Sequence, residues 1–362
     1  MSLPMTPHTV DELQEIVLSH ERIHLSGGST KPALSTPLDG TEHLELSKLS
    51  GIVEYDPSEL TFTALAGTPI AEVQSKLDAR GQYLPFDPPF ADRGATIGGT
   101  VAAGLSGPGR YRFGGIRDFI LGVSLVDGNG RLVRGGGKVV KNVAGFDIPK
   151  LMVGSLGELG VLVELTFKVF PKPESRLTIE YRCSTLDTAM EALYRVYTSQ
   201  LDIVSLDLAP EADGSATVWI RIGGLTDSVP TRANRVRSMM GGGEILDGPD
   251  ETHLWSDARD FSWSQPGWNL LKVPLSPRQV TRLEDELARK ESLRRYSSGA
   301  NVAWIATPES PDILDGLLNS IGLPGLVVVG SPSRVRIGRN EAQTLEERIR
   351  RVFDPIGRFV RN

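Results

Sequence analysis

The chain has 362 residues, with 39 Lys+Arg against 45 Asp+Glu, a net charge of -6, and a composition that is 40% hydrophobic and 23% charged. That is an ordinary globular balance, long enough for two domains or more and for a sizeable core, with no basic excess to drive nucleic-acid binding. The one cysteine, Cys183, excludes an internal disulfide framework and any thiolate metal cluster held by this chain alone. No stretch reaches the roughly 18 apolar residues of a membrane span. The opening MSLPMTPHTVDELQ has no basic region followed by an apolar run, so no signal peptide is expected and the chain reads as cytoplasmic.

The first helix is signed by Thr9 and Glu12 at capping-box spacing, with Val10, Leu13 and Val17 on one face. A short strand, IHL, leads into the loop Ser26–Pro32. GIVEY and LTFTALAG read as strands joined by DPSE, and a second helix opens at Thr68 and Pro69, with Ile70, Val73 and Leu77 as its stripe and Gly81 as its stop. Residues 85–110 show no long period and read mostly as loop, with one helical turn near 99–104. Residues 119–136 form a hairpin turning at Asp127–Gly130, and residues 160–173 form a long strand ending in prolines. From Leu177 the order becomes β-α-β-β-α-β, the ferredoxin-like arrangement. A tryptophan-rich segment, a helix capped at Ser276 and Pro277, and a charged helix from about Asn340 follow; no internal repeat is evident.

Common nucleotide signatures are absent: GSLGELG lacks the G-x-G-x-x-G spacing, and no P-loop or nucleophile elbow occurs. His20 and His24 stand four apart but run off a helix into a strand, so they read as surface histidines rather than a metal pair, and no metal site is expected. Two glycine-rich loops remain, and many of the 39 glycines fall between Gly94 and Gly160. SGGSTK offers backbone N–H groups, two hydroxyls and a lysine directly after a strand. ATIGGTVAAGLSGPGR offers a second run of small residues with hydroxyls and Arg110. A diphosphate needs many short hydrogen bonds from backbone that comes close, where a larger side chain would obstruct it. Each loop alone is better read as an ordinary turn; the two together are better evidence, and KNVAGFDIPKLMVGSLGELGVLVE (141–164) adds a third segment.

The order of SGGSTK, ATIGGTVAAGLSGP, RDFILGV, KNVAGFDIPKLMVGSLGELGVL and a late FDP resembles the FAD-binding fold of the vanillyl-alcohol oxidase or p-cresol methylhydroxylase (PCMH) family. Within it, residues 50–74 and 104–122 are most similar to the FAD-binding E-type subunits of bacterial glycolate oxidases. The resemblance implies an α+β chain: a PCMH-type two-subdomain FAD-binding domain over 1–173, a ferredoxin-like α+β cap over 174–339, and a C-terminal segment, 340–362, returning to the first domain. It implies that Ser26, Gly27, Gly28, Ser29 and Thr30 wrap the FAD diphosphate from one side. Thr96, Gly98, Gly99, Ala102, Gly104, Ser106 and Gly107 would supply the other side, with Asp118 anchoring the loop. Gly154, Ser155, Gly157, Gly160 and Val161 would line the adenine end. Asp118 is equally well read as a loop brace, and a plain core strand residue is the lesser alternative for Val161.

Two departures bear on the cofactor. Ser29 stands where relatives with covalent flavin have histidine, so non-covalent FAD is expected. The tail reads GRFVRN after FDP where relatives often have an asparagine-proline-glycine motif. The cap carries His253 alone where related D-2-hydroxy-acid dehydrogenases place a histidine cluster, which argues against hydroxy-acid oxidation by their usual route. No catalytic residue is assigned. Arg259, Trp268 and Lys272 are the cap residues that could face a carboxylate substrate, although Lys272 is better read as an edge-strand lysine pointing to water, and Trp255, Trp263 and Trp268 as core or subunit interface. The resemblance implies a glycolate oxidase complex that oxidises glycolate to glyoxylate, with a second flavin subunit and an iron–sulfur subunit as partners, at the inner membrane through those partners if at all. A self-sufficient FAD-dependent 2-hydroxy-acid dehydrogenase and a structural subunit without FAD remain open.

Overall fold

The computed structural model describes residues 3–137 and 146–361. The chain divides into two compact units: Met1–Ser106, Gly114–Pro171 and Asn340–Asn362 form the first, and Gly107–Phe113 and Lys172–Arg339 the second. Lys141–Gly145, the start of the third sequence segment, lie outside the described residues.

In the first unit, α1 (Val10–Ser19) starts at Thr9, whose hydroxyl accepts from the Glu12 N–H at 3.2 Å. The Glu12 carboxylate accepts from the His8 N–H, so the expected box is displaced by one residue. Strand β1 (Ile23–Ser26) lies parallel to β2 (Glu42–Glu45), with α2 (Pro32–Ser35) between them in sequence. β3 (Ile52–Asp56) and β4 (Thr61–Leu65) form the expected pair. α3 (Ile70–Asp78) buries Ile70, Val73 and Leu77, but Pro69 occupies its cap position. The Thr68 hydroxyl is diverted to the Gly51 N–H at 2.9 Å and the Leu65 carbonyl at 2.7 Å.

β5 (Gln82–Tyr83) precedes the glycine-rich stretch, which is less irregular than its sequence suggests. It contains α4 (Ile97–Ala103), capped by Thr96, whose hydroxyl accepts from the Gly99 N–H at 3.1 Å. Two glycines in the first turn conceal this helix, because glycine disfavours helix by about 1 kcal/mol relative to alanine. The short α5 (Arg110–Phe113) belongs to the second unit. The hairpin of β6 (Ile120–Val126) and β7 (Leu132–Gly136) turns where Asp127 Oδ1 accepts from the N–H groups of Asn129 and Arg131. α6 (Ile148–Met152), β8 (Val161–Lys168) and β9 (Phe170–Pro171) complete this part. The main sheet has the order β3-β4-β8-β6-β7. A core of Leu13, Val17, Ile23, Leu44, Leu46, Leu49, Val126, Val161, Val163 and Phe359 joins this sheet to β1 and α1.

The second unit holds β10 (Ser175–Cys183), α7 (Leu186–Tyr197), β11 (Ser205–Pro210), β12 (Ala216–Gly224), α8 (Val229–Met240) and β13 (Glu244–Leu246). After α9 (Gly248–Asp260) come β14 (Asn269–Pro274), α10 (Val280–Leu287), β15 (Leu293–Ser297), β16 (Val302–Thr307), α11 (Pro311–Ile321), β17 (Pro324–Val329) and β18 (Arg336–Gly338). The β-α-β-β-α-β order therefore occurs twice. The halves pair as β13-β10-β12-β11 and β15-β16-β14-β17, joined where β11 meets β15 with Leu208 opposite Tyr296. The sequence shows no such repeat because the halves share topology and alternation, not residues.

This arrangement corrects the edge-strand reading of Lys272: β14 lies between β16 and β17, inside the sheet. Against β10 packs α9, whose Glu251 accepts from Arg221 Nε at 2.6 Å, both side chains being buried. Trp255 donates its Nε1–H to the Thr178 hydroxyl at 2.7 Å, so it is a core residue.

The charged α12 (Gln343–Phe353) returns the chain to the first unit. Asp354 accepts from the N–H groups of Gly357, Arg358 and Phe359, and Phe359 bridges to Ile23, fully buried.

Candidate functional site

The loop after β1, the first turns of α4 and the approach to β8 line a cleft in the first unit. Of the residues expected at the cofactor, Ser26, Gly27, Gly28, Ser29, Thr30, Thr96, Gly98, Gly99, Ala102, Gly157 and Gly160 line it. Leu25, Leu34, Leu46, Ala66, Leu156 and Leu162 add apolar walls. The N–H groups of Gly27, Gly28, Ser29 and Thr30 donate to no acceptor among the described residues. Ser29 sits at φ 49°, so the loop bends its successive N–H groups through a left-handed position, the geometry of an anion-holding nest.

The reason for the glycines differs from the one expected. A β-carbon on Gly28 would overlap the Gly94 carbonyl oxygen, and one on Gly27 would overlap the Thr96 hydroxyl. Close packing of the two loops on each other imposes glycine there. Gly98 is fixed the same way, its β-carbon position being 2.7 Å from both Ala66 Cβ and Ala66 O. Gly99 is different: its nearest neighbour is Thr96 Oγ1 at 3.0 Å.

The other expected residues stand away from the cleft lining. Gly104 ends α4 at φ 62°, with its β-carbon position 3.1 Å from the Gly154 backbone. Gly154 donates its N–H to Val101 O at 3.0 Å, so these two glycines fasten α4 to the 154–160 loop. Ser106 accepts from the Ile116 N–H at 2.9 Å. Asp118 accepts from the Gly115 N–H at 2.9 Å and braces its own turn. Ser155 is buried with its hydroxyl unpartnered among the described residues. Val161 is a core residue of β8, and Gly107 falls in the second unit.

Lys31 belongs to the same cleft and is only 6% exposed. A lysine closing a polar loop reads as solvated in sequence, and nothing in one sequence signals its burial. His24 is another departure: it is fully buried in β1, its ring 6.0 Å from that of His43, and burial pushes its imidazole pKa down. The surface reading of His24 is therefore wrong.

In the second unit, Arg259 is paired with Asp260 at 2.5 Å. Burial, then the charge of Arg110, pushes the Lys272 ammonium down to about 8. Trp263 is partly buried, with its Nε1–H unpartnered among the described residues.

Residues 2–136 match the FAD binding domain family. Over 236 residues the chain is 38% identical to the glycolate oxidase subunit GlcE of Escherichia coli, covering 65% of this chain and 64% of that protein. It is 28% identical over 208 residues to the glycolate oxidase subunit GlcD of Bacillus subtilis, covering 56% and 44%. It is 29% identical over 213 residues to the mitochondrial D-lactate dehydrogenase (cytochrome) 1 of Saccharomyces cerevisiae, covering 57% and 36%. The chain thus spans less than two thirds of the length of each. The fold is similar to that of an alkyldihydroxyacetonephosphate synthase, with a TM-score of 0.72 at 16% identity, covering 98% of this chain and 74% of that one. The match to the FAD binding domain family thus covers residues 2–136, which supply most of the cleft lining, and the α+β fold is shared with a solved structure.

Proposed function

We propose that the chain is the FAD-carrying subunit of a glycolate oxidase complex, an oxidoreductase that converts glycolate to glyoxylate together with a second flavin subunit and an iron–sulfur subunit. The observation that carries this is the cleft of unpaired loop N–H groups, built by residues within the FAD-binding match, in a chain 38% identical to GlcE. The cleft fits an ADP-bearing cofactor: Ser26–Lys31 would hold the diphosphate, and the leucines around Leu25 and Leu162 offer an apolar wall to a planar ring. Bound FAD would supply the two-electron acceptor. Ser29 offers no imidazole for a covalent flavin bond, so the FAD is dissociable.

The second unit is read as the cap, each half a ferredoxin-like module. Lys272 and Arg110 bring two cations together there, and a carboxylate substrate needs such anchors. Arg259, engaged by Asp260, is the weaker candidate. No helix among the described residues is long and apolar enough to cross a membrane, so any membrane association would run through partners.

The visible spectrum of the purified chain, before and after anaerobic glycolate, tests the proposal. Flavin bands that stay oxidised with glycolate, and bleach once partner subunits are added, are expected. Bleaching by glycolate or D-lactate without partners would make the chain a self-sufficient dehydrogenase, the reading favoured by its similarity to D-lactate dehydrogenases. No flavin bands, even with added FAD, would leave a structural subunit.

A further inference from the structure

Lys31 closes the SGGSTK loop and its side chain lies in the cleft, almost shielded from water. Its ammonium donates to the Thr30 hydroxyl at 3.1 Å and stands 5.8 Å from the centroid of the Phe90 ring. Among the described residues no carboxylate pairs with it. The remaining residues, Met1, Ser2, 138–145 and Asn362, contain no Asp or Glu. A hydroxyl and an aromatic face can stabilise an ammonium group, but neither neutralises it. A buried charge without a counter-charge is costly, and proteins retain one where a ligand or a metal completes the pair.

The support beneath it is also strained. Phe90 is fully buried at φ 62°, a left-handed conformation that bulky residues rarely adopt. It is held there because its carbonyl accepts from both Arg93 and Ala95 N–H groups at 3.1 Å. The Phe90 ring stands between two cations, 5.8 Å from the Lys31 ammonium and 5.3 Å from the Arg93 guanidinium, and Lys31 also lines the cleft. The neighbouring N–H groups of Gly27–Thr30 also await an acceptor, and all of these donors suit an anion with several oxygens.

We propose that Lys31 is the counter-charge for the diphosphate of the bound cofactor, and that it makes the cleft select diphosphate-bearing ligands over the uncharged nucleoside. This rests on the FAD reading above and deepens it.

The test uses full-length chain stripped of flavin, titrated calorimetrically with FAD and ADP, with adenosine measured by competition, in wild type, Lys31→Met and Lys31→Arg. Lys31→Met is expected to weaken ADP and FAD about tenfold or more and to leave adenosine within about twofold. Lys31→Arg is expected to keep most of the ADP affinity. The ligand-free Lys31→Met protein should melt no lower than wild type, since it loses a buried charge rather than a pair. Unchanged ADP affinity in Lys31→Met, or a parallel loss for adenosine and ADP, overturns the assignment of Lys31 while leaving the FAD reading intact. A wild-type chain that binds neither FAD nor ADP overturns both.

Discussion

Adjacent glycines at the start of α4 should respond to alanine in opposite ways. At Gly98 the new methyl would lie 2.7 Å from Ala66 Cβ and from Ala66 O, the same oxygen that accepts the Gly98 N–H at 2.8 Å. Overpacking of this kind costs about 1–3 kcal/mol, and a weakened hydrogen bond about 0.5–1.5 more. Replacing glycine by alanine in a helix returns at most about 1 kcal/mol. Gly98→Ala should therefore lose about 1–3 kcal/mol. At Gly99 the methyl meets only Thr96 Oγ1 at 3.0 Å, so Gly99→Ala should stay within about 0.5 kcal/mol of wild type while placing its methyl against the cleft.

Gly99→Asp sharpens the contrast. An acidic residue in the first turn of a helix is favourable, so the fold should survive, yet the charge would face the diphosphate. Calorimetric melting of flavin-stripped protein gives the stability, at about 2–4 °C per kcal/mol, and FAD titration gives the binding. Expected are a lowered midpoint for Gly98→Ala, a near-normal midpoint with abolished FAD binding for Gly99→Asp, and reduced FAD affinity for Gly99→Ala. Wild-type FAD retention in Gly99→Asp would show that this cleft does not hold the diphosphate.

Three further outcomes follow from buried charges. Burial holds Lys31 at about 8 instead of 10.5, so the unfolded chain binds more protons between those values. The ligand-free protein should gain stability as pH rises from about 8 to about 10.5, by about 3 kcal/mol from this lysine alone. Lys272, also held at about 8, adds a parallel gain, so Lys31→Met should remove part of the slope; a wild type whose stability falls across that window would refute the burial. Glu251→Gln should cost about 3–5 kcal/mol in urea unfolding by stranding Arg221, whereas Arg221→Met with Glu251→Leu should recover most of the loss. Asp354→Ala strips the acceptor from three backbone N–H groups. It should cost about 2–4 kcal/mol and open the C-terminal segment to trypsin, and an unchanged digestion pattern would count against that clasp.

The loops that line the cleft were legible because glycine, serine and threonine at fixed spacing mark backbone that must turn and approach other backbone. The motif's glycines at 27, 28 and 98 line the cleft, but the immediate reason for glycine there is close packing against neighbouring backbone and side chains. Lys31 was visible as a residue and invisible as a buried one, since burial depends on Phe90, which is 59 positions away in sequence. Gly104 and Gly154 share the motif yet secure the framework around the cleft. The second β-α-β-β-α-β half escaped notice because β14 and β15 carry Lys272, Arg294 and Arg295 on positions that a half-buried strand would leave apolar. Those charges are accommodated by partners from elsewhere in the unit, such as Asp207 for Arg295 at 2.8 Å and Glu284 for Arg294 at 2.6 Å.

The return of the C-terminal segment sets the order in which the chain can be finished on the ribosome. β1 is bordered on one side by β2, a near neighbour in sequence, and on the other by Phe359, whose flanking residues exchange hydrogen bonds with Ile23: Ile23 N–H to Arg358 O at 2.7 Å and Val360 N–H to Ile23 O at 3.1 Å. Everything between Pro171 and Asn340 must emerge first. At about 5–20 residues per second, the edge of the strand leading into the glycine-rich loop stays open for roughly 10–40 seconds after Pro171 has been made. During that interval the nascent chain offers an open β edge beside a cleft whose lining residues have all been made, which makes a chaperone's cover of that edge a matter of timing.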